Sequence, residues 1–333
     1  MGWRRGEGGF VKAPGFWMRD GVVARVLSPL AAVYAAGTAR RVARPGWRAP
    51  VPVLCCGNAG VGGAGKTTLA LDLVARLVRR GVAVHCISRG YGGRVRGTLR
   101  VDVAAHGAEL VGDEPLLLAA VAPTWVGADR AASARMAVAA GAEALVMDDG
   151  LQNSDLVKDG SLLVVDGAAG FGNGRVVPAG PLREPVWAAA GRCVAAVMIG
   201  MDGRGARGML PEGMPVLDAW LVPDQGLYGM RVVAFAGIAR PGKFHATLEQ
   251  AGAVVAGTMD FPDHHQFRAH EIRAVVARAV QLDAVPVTTP KDAVRLPLAW
   301  QARVRTVGVR LAWADEGALE ALLGKVLAGG AGG

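Results

Sequence analysis

The chain has 333 residues, of which 52% are apolar and only 5% aromatic, and this composition suits one large or two smaller domains with cores of small aliphatic side chains. Its 37 basic residues outnumber 28 acidic ones and give a formal charge of +9, which favours an anionic partner without choosing between nucleotide, nucleic acid and membrane surface. The first residues lack the apolar segment of a secretory signal, and no apolar run is long enough to cross a bilayer, so we expect neither export nor a spanning helix.

Residues 1–48 differ from the rest of the chain and are predicted to form a separate helical segment. Apolar residues recur there at helical spacing at positions Val22, Val26, Leu30, Val33 and Tyr34. Arginines flank this run, and Phe16 and Trp17 precede it, which suits an amphipathic helix lying in the plane of lipid headgroups. An ordinary helix packed on the core is an equally good interpretation of these residues, because any amphipathic helix has an apolar face. Pro29 predicts a kink or two shorter helices.

Residues 49–213 are predicted to form the larger domain around the stretch VPVLCCGNAGVGGAGKTTL, which runs from Val51 to Leu69. An apolar strand leads into the pattern G-x-x-x-x-G-K-T, and an amphipathic helix follows it, which is the context of a phosphate-binding loop for ATP. The predicted nucleotide-binding residues are Gly60, Val61, Gly62, Gly63, Ala64, Gly65, Lys66 and Thr67. Backbone N–H groups and the helix dipole would hold phosphate oxygens, Lys66 would neutralise them, and the Thr67 hydroxyl would bind Mg²⁺.

The alternative for this stretch is a flexible connection in a chain with 48 glycines. The strand before the pattern and the helix after it favour the nucleotide site. Val61 also stands where the dimeric partitioning ATPases have a second lysine, which weakens a relationship to that group.

Two acidic pairs follow the phosphate loop. Asp113 and Glu114 precede an apolar helix, where acidic residues are common caps; the alternative is chemical, because phosphoryl transfer to an alcohol needs a carboxylate that takes the hydroxyl proton. Asp148 and Asp149 end the apolar run ALVMDD, which is the form of a strand whose aspartate holds Mg²⁺. Ligand sites of parallel sheets gather at such carboxyl ends, so the second pair is predicted to lie beside the phosphate loop.

A long Gly/Pro-rich connection follows the strand that ends at Asp166, and its length predicts a functional loop. Arg183 and Glu184 lie at its end, either as a simple surface pair or in contact with the transferred phosphoryl group or its acceptor.

A linker is predicted at 214–229, followed by a smaller α/β domain at 230–328 and a disordered tail at 329–333. The notable stretch of the smaller domain is Asp263-His264-His265. Adjacent histidines rarely point the same way, so a zinc site is weakly supported, and a side chain that reaches the phosphate site across the domain cleft is the sharper hypothesis.

The predicted fold class is therefore α/β, with a mostly parallel P-loop NTPase-like sheet covered by helices on both faces, a second smaller α/β domain and an N-terminal amphipathic helix. Cys55, Cys56, Cys86 and Cys193 lack C-x-x-C spacing and are predicted to be reduced, buried thiols in the cytosol.

These stretches together resemble the tetraacyldisaccharide 4′-kinase family, the lipid A 4′-kinases of Gram-negative bacteria. The resemblance covers nearly the whole chain through APGFW, GNAGVGGAGKTT, SRGYGG, VGDEPLLLA, DDGLQ, DGAAGFGNGRVVPAGPLREP, AFAGIARPGKF, FPDHHQF and TTPKDAVRL, in this order and spacing. It implies transfer of the ATP γ-phosphate to the 4′-hydroxyl of a tetraacyl glucosamine disaccharide 1-phosphate, which gives the 4′-phosphorylated lipid A precursor. It also implies a peripheral protein at the cytoplasmic face of the inner membrane, docked through the first helix.

The resemblance also implies roles for individual residues. Asp113 matches the proposed general base, and His264 matches the histidine that orients it. Glu114, Asp148 and Asp149 match acidic residues around Mg²⁺, with Thr67 as the ligand from the loop. Arg183 and Glu184 match a pair considered important for catalysis.

The chain departs from the family pattern at three positions. Asn153 stands where the family often has histidine, which puts a role of that histidine in doubt here; Thr68 replaces a common proline, and Pro290 replaces a glutamate.

Two rivals come from other functional classes. A regulatory P-loop NTPase or chaperone would turn over ATP without a lipid acceptor, and a nucleic-acid-binding ATPase would explain the positive charge. The basic residues are scattered and no aromatic-rich binding face occurs, so we expect no nucleic-acid partner, and nothing indicates an obligate protein partner.

Overall fold

The computed structural model describes residues 14–330, which form two β-sheets with helices packed around them. The strands are β1 (Val53–Gly57), β2 (Val84–Ser88), β3 (Thr98–Arg100), β4 (Thr124–Gly127), β5 (Ala144–Asp148), β6 (Gly160–Asp166), β7 (Ala195–Ile199), β8 (Val216–Pro223), β9 (Arg231–Ala236), β10 (Val254–Asp260), β11 (Val285–Thr288), β12 (Arg305–Thr306) and β13 (Val309–Trp313). The helices are α1 (Val22–Val26), α2 (Ser28–Val42), α3 (Lys66–Arg79), α4 (Ala108–Val111), α5 (Asp113–Ala119), α6 (Arg130–Ala139), α7 (Val186–Ala190), α8 (Pro241–Gln250), α9 (Ala269–Gln281), α10 (Pro290–Ala293), α11 (Leu298–Gln301) and α12 (Glu316–Gly330).

The larger sheet has nine strands in the order β13-β8-β7-β6-β1-β5-β2-β4-β3. Its strands run parallel except for β13 and β3, which pair antiparallel with β8 and β4 at the two edges. Every residue of β1, β2, β5 and β7 is buried, as expected for parallel strands covered on both faces. The predicted α/β fold with a mostly parallel sheet is therefore confirmed.

The smaller sheet contains four parallel strands in the order β10-β9-β11-β12. Phe235 on β9 is fully buried against the aromatic ring of Phe267, and α8 and α9 cover the sheet. This sheet has a core of its own, separate from that of the larger sheet.

The predicted boundaries between the linker and the smaller domain are wrong in two places. The supposed linker at 214–229 contains β8, a strand of the larger sheet. The last strand, β13, is also part of the larger sheet, and the last helix, α12, packs on it. Trp313 of β13 and Leu319 and Leu323 of α12 lie in one core with Leu73 and Leu77 of α3. The chain thus returns to the larger sheet after completing the smaller one.

The predicted tail begins too early, because α12 continues through Gly330. Residues 331–333, like residues 1–13 of the N-terminal segment, lie outside the described part of the chain.

The described part of the N-terminal segment, residues 14–48, contains a short 3-10 helix at Gly15–Met18 and then two α-helices, as Pro29 predicted. The residue Leu27 separates α1 from α2, and Pro29 occupies the first turn of α2, where its missing N–H costs nothing. Contacts to the long Gly/Pro-rich loop hold the segment in place: Arg175 pairs with Asp20 at 2.8 Å, and the Trp17 indole donates to the Pro178 carbonyl at 3.0 Å.

The four cysteines are free, and Cys55, Cys56 and Cys86 are buried in strands. Cys193 is only partly buried and follows α7, so the prediction of buried thiols holds for three of the four. Burial raises the pKa of the Cys86 thiol to about 12, which keeps it protonated and unreactive.

Candidate active site

The phosphate loop, residues 60–67, joins β1 to α3 at the carboxyl edge of the larger sheet. The Lys66 ammonium lies 3.2 Å from Asn58 Oδ1 and 3.4 Å from the Gly62 carbonyl oxygen. Its nearest carboxylate oxygen is Asp149 Oδ1, at 3.6 Å. Lys66 is therefore held across the loop by neutral oxygens, and most of its charge is available to an anion.

Gly65 precedes α3 in a conformation that favours glycine. Its φ is 91°, and a Cβ at this position would lie 2.7 Å from Ile199 Cδ1 on β7. The left-handed backbone disfavours residues with a Cβ, which explains the glycine at this place in the pattern; Ile199 would also have to shift its terminal methyl.

Asp148 ends β5 and lies beside Thr67, as predicted. The Thr67 hydroxyl donates to Asp148 Oδ2 at 3.1 Å, whereas Asp148 Oδ1 is buried without a hydrogen-bond partner. Burial, together with the charges of Glu114 and Asp149, raises the pKa of Asp148 to about 7. A buried carboxylate oxygen without a partner, next to a hydroxyl, has the donor chemistry that Mg²⁺ prefers.

Protein side chains alone do not enclose a cation at this place. Within residues 14–330 no three His, Cys, Asp or Glu side chains converge on a possible metal position. A cation held by Thr67 and Asp148 would therefore need further oxygen ligands from phosphates and water, which is usual for Mg²⁺ in nucleotide sites.

Asp149 follows at the start of a turn and is the centre of an ion-pair network. Its φ is 51°, a left-handed conformation that is uncommon outside glycine. Arg183 contacts both of its oxygens, at 3.0 and 3.3 Å, and Lys66 lies on the same side. Burial alone would raise the pKa of Asp149, but the charges of Lys66 and Arg183 hold it below its ordinary value. The network thus keeps Arg183 beside the phosphate loop.

Asp113 and His264 meet, although 151 positions separate them along the chain. His264 Nδ1 lies 2.8 Å from Asp113 Oδ2. The N-cap of α5 is Gly112, and Asp113 is the first helical residue; its carboxylate contacts His264 and Arg295 of the smaller domain. The predicted contact across the cleft is present, and the chemical roles of the two residues remain a prediction.

The electrostatics of this pair favour an ionised carboxylate. Burial would raise the pKa of Asp113, but the hydrogen bond from His264 and the charge of Arg295 keep it below its ordinary value. The same hydrogen bond raises the pKa of His264. Asp113 can therefore accept a proton at neutral pH while His264 fixes its orientation.

We expect the His264 imidazole to titrate above the ordinary histidine pKa of about 6.5, because Asp113 stabilises the imidazolium. The stability that this pair contributes is complete below the ordinary pKa and is lost as the pH rises through the raised pKa. Asp113→Asn should lower the His264 pKa, since the amide carries no charge. An NMR titration of the ring protons tests this, with the exposed His270 as the reference signal; an unchanged His264 pKa in the variant would contradict the pairing.

Two cations of the smaller domain that the sequence analysis did not single out also reach this region. Lys291 Nζ donates to Glu114 Oε1 at 2.8 Å, and Arg295 Nη2 lies 3.0 Å from Asp113 Oδ2. Both belong to the motif TTPKDAVRL. Its two cations four residues apart were the available signal, but nothing local to the motif indicates which carboxylates they meet.

Arg183 and Glu184 do not form the simple surface pair that was one of the two hypotheses. Glu184 is buried, and both of its oxygens lie 2.7 Å from Arg192 Nη2. Gln152 links the two residues, because its amide nitrogen donates to Glu184 at 2.8 Å and its oxygen accepts from Arg183 at 3.2 Å. Glu184 therefore supports the site indirectly, through its hydrogen bond with Gln152, whereas Arg183 lines the site itself.

A polar cavity of about 450 Å³ opens beside the carboxylates at the end of β5. Its lining includes Asp148, Asp149 and Glu114 on one side and side chains of α2 on the other. Further lining residues are Tyr34, Arg41, Ser88, Arg89, Tyr91, Arg130, Gln152, Asn153 and Arg183. Four arginines in one cavity make it suitable for an anionic group, and Asn153 takes its place in this lining.

Arg130 is the most deeply buried of these arginines. Its Nη1 donates to the carbonyls of Gly127 and Ala128, while its Nε has no hydrogen-bond partner. Burial lowers the pKa of Arg130 to about 10, which leaves it charged at neutral pH. A buried cation without a carboxylate partner is costly unless an anion binds near it.

His265 turns away from this region. Its Nε2 lies 2.9 Å from Glu271 Oε2, and its ring stacks on Phe261 with 5.0 Å between the centroids. It packs within the smaller domain, and the two adjacent histidines do not converge on one site.

The N-terminal helices leave an apolar face uncovered. Val22, Val26 and Val33 are each more than 70% exposed, and Leu30 and Tyr34 are also exposed. The opposite face packs on the protein through Ala24, Ala31 and Thr38. No helix within residues 14–330 has the length and apolar character needed to span a bilayer.

The comparisons with known proteins agree on one family. The family model described as tetraacyldisaccharide-1-P 4′-kinase matches residues 23–328. The chain is 58% identical over 316 residues to the tetraacyldisaccharide 4′-kinase of Gluconacetobacter diazotrophicus, covering 93% of this chain and 97% of the relative. It is 53% identical over 330 residues to the enzyme of that name from Rhodospirillum centenum, covering 96% and 98%.

A solved structure is also similar. The crystal structure of LpxK from Aquifex aeolicus in complex with ATP matches with a TM-score of 0.74 and 26% sequence identity, covering 92% of this chain and 100% of that one.

Proposed function

The chain belongs to the tetraacyldisaccharide-1-P 4′-kinase family, and we propose that it transfers the γ-phosphate of ATP to the 4′-hydroxyl of a tetraacyl glucosamine disaccharide 1-phosphate. The observation that carries this proposal is the contact between Asp113 and His264, with Glu114 beside them sharing a cavity with Asp148, the partner of Thr67 in the phosphate loop. A carboxylate at this place can take the proton of an acceptor hydroxyl.

The nucleotide half of the site is assigned to the phosphate loop, with ATP held by backbone N–H groups and Lys66. Thr67 and Asp148 would hold Mg²⁺, with Glu114 as the third predicted side chain around it. When bound, the ion would neutralise charge on the β- and γ-phosphates. Arg183, which Asp149 holds in position, would stabilise the negative charge on the phosphoryl group during its transfer.

The acceptor half of the site is assigned to Asp113. Its ionised carboxylate takes the proton of the 4′-hydroxyl while the hydroxyl oxygen attacks the γ-phosphorus. The bond from that phosphorus to the bridging oxygen breaks, and ADP leaves with the electron pair. His264 holds the carboxylate in one orientation throughout, so the contribution of the protein is mainly alignment and charge neutralisation.

The arginine-lined cavity between α2 and the end of β5 is proposed to bind the sugar headgroup and its 1-phosphate. Its position supports this assignment, because Glu114, the neighbour of Asp113, lines the cavity together with Asp148, Asp149 and side chains of α2. The acyl chains can then stay in the bilayer while the headgroup enters the site.

The function is tested by incubating the protein with γ-labelled ATP and the disaccharide 1-phosphate. We expect the label on the lipid, and none on an acceptor already phosphorylated at the 4′ position. Release of all the label as inorganic phosphate would instead indicate a regulatory NTPase.

We further propose that the protein works as a larger ATP-binding domain and a smaller domain, residues 231–306, that closes over it. Asp166 lies where the two domains meet. It ends β6 of the larger domain and pairs with Arg240 at 3.0 Å and Lys243 at 2.9 Å from the smaller domain.

The exposed face of α1 and α2 is proposed to rest on the cytoplasmic surface of the inner membrane. Its apolar residues are grouped on one side, and Arg40, Arg41 and Arg44 follow at the end of α2, where anionic lipid headgroups would meet them. This arrangement makes the protein peripheral.

Replacing Val26, Leu30 and Val33 together by serine should reduce binding to anionic vesicles, because each valine or leucine removed from the interface forfeits about 1–2 kcal/mol of apolar burial. The fold should be unaffected, since these side chains are exposed. The matched control replaces Val103, Val280 and Leu298, which are exposed elsewhere on the surface. Vesicle sedimentation measures the difference, and equal binding of both triple variants would contradict the docking face.

A further inference from the structure

Arg295 lies two residues beyond α10 and is a buried cation near the active site. Its side chain has no solvent exposure, and its Nη2 lies 3.0 Å from Asp113 Oδ2, the same oxygen that His264 contacts. The carboxylate from the larger domain is thus held by two side chains of the smaller domain.

A rigid support fixes the Arg295 guanidinium. Its Nη1 donates to the Gly237 carbonyl at 3.0 Å and lies 3.2 Å from Asp292 Oδ1. Asp292 is itself fully buried, and accepts hydrogen bonds from the Gly237 N–H and the Thr289 hydroxyl.

Gly237 joins this support to the histidine. The His264 N–H donates to the Gly237 carbonyl at 3.0 Å, so one peptide segment holds both side chains that contact Asp113. A Cβ on Gly237 would come within 3.1 Å of Asp292 Oδ1 and His265 Cβ, so the segment is tightly enclosed.

We propose that Arg295 is a positioning residue of the phosphoryl transfer, which together with His264 fixes the Asp113 carboxylate only when the smaller domain is docked. The inference rests on the proposed function, because it concerns the base of that reaction. Contacts from the smaller domain fix the Asp113 carboxylate, so the proton acceptor is ordered when both substrates are enclosed.

The hydrogen bonding of Arg295 distinguishes this role from that of an ordinary structural arginine. Its Nε and Nη2 are buried and make no hydrogen bond of good geometry, although Nη2 is in ion-pair contact with Asp113. Buried donors that serve only the fold are normally satisfied. Arg76 of α3 shows the structural case: it is also a buried arginine, although 9% of its side chain is exposed, and it pairs with Asp72 at 2.7 Å and Glu320 at 2.8 Å.

The experiment compares Arg295→Met and Arg76→Met, each in the natural sequence and in an Asp113→Asn background. Activity, the KM for each substrate and the Tm are measured for all variants. We expect Arg295→Met to lower kcat by about 10²-fold with little change in the KM for ATP, as for a misplaced catalytic group. Arg76→Met should lower the Tm and leave kcat unchanged.

The decisive comparison is between the loss of kcat caused by Arg295→Met in the natural sequence and the loss that it causes in the Asp113→Asn background. Once Asp113 is an asparagine there is no base to position, so Arg295→Met should then cost less than about threefold in kcat. An equal loss in both backgrounds, or no loss in the natural one, would overturn the proposal. Should Arg295→Met fail to fold, Arg295→Lys, which keeps the charge without the planar fork, provides the same comparison.

Failure of the proposed function has a different signature. It would appear as absence of lipid phosphorylation by the unsubstituted protein, whereas failure of the positioning role leaves that activity intact.

Discussion

Asp113→Asn is expected to lower kcat by about 10²–10⁴-fold, the usual contribution of a general base, while the KM for ATP changes little. The asparagine keeps the size of the side chain and can still contact His264, but it cannot take the hydroxyl proton. ATP is held by the phosphate loop, which the substitution does not touch. Steady-state kinetics with the lipid acceptor at saturation measure the effect.

The control is Asp315→Asn, which changes an aspartate at the start of α12 that accepts from the Ala318 N–H at 2.9 Å. The asparagine oxygen can still accept this hydrogen bond, and asparagine caps helices about as well as aspartate does. This loss of a charge far from the site should therefore leave both the Tm and kcat nearly unchanged. If Asp113→Asn likewise keeps normal turnover, the base lies elsewhere.

The parts of the fold that were predictable have local signals. The phosphate loop combines a buried strand, special glycine positions and an amphipathic helix within twenty residues, and each requirement is visible in the sequence. The position of β13 was not predictable in this way. Its antiparallel pairing with β8 joins segments about ninety residues apart. Nothing in the sequence of an apolar strand that follows the smaller sheet indicates which of the two sheets it joins.

The residues of the site also fall into two groups: those whose positions the local sequence predicts and those whose positions it does not. Asp148 and Thr67 could be placed together because both follow from parallel-sheet topology around the loop. The meeting of Asp113 with His264 was suggested by the resemblance, since nothing in either local sequence requires it. Arg295 was missed because its partner lies 182 positions away and its burial depends on how the smaller domain docks. Long-range charge pairing is a property of the folded chain.

Asp148→Asn is expected to weaken Mg²⁺ binding, so that ordinary Mg²⁺ concentrations no longer saturate the site, and to lower kcat by about 10²–10³-fold, the loss typical of one electrostatic stabiliser. The amide retains the hydrogen bond from Thr67 but removes the negative charge that a divalent cation needs. Titration of Mg²⁺ in the presence of a non-hydrolysable ATP analogue measures the affinity directly.

Asp166→Asn is the matched control for metal affinity. Asp166 also ends a parallel strand of the larger sheet, but Arg240 and Lys243 already neutralise it. We expect this variant to bind Mg²⁺ and nucleotide as the natural protein does. Similar affinities for the two variants would remove Asp148 from the metal site.

The pH dependence gives a second measurement on the same carboxylate. Burial and neighbouring carboxylates raise the pKa of Asp148 to about 7, so below that pH a proton competes with the cation for the ionised form. Mg²⁺ affinity should therefore increase as the pH rises through about 7 and level off above it. In Asp148→Asn this dependence should disappear, because no proton is released on binding; its persistence would mean that another group controls metal binding.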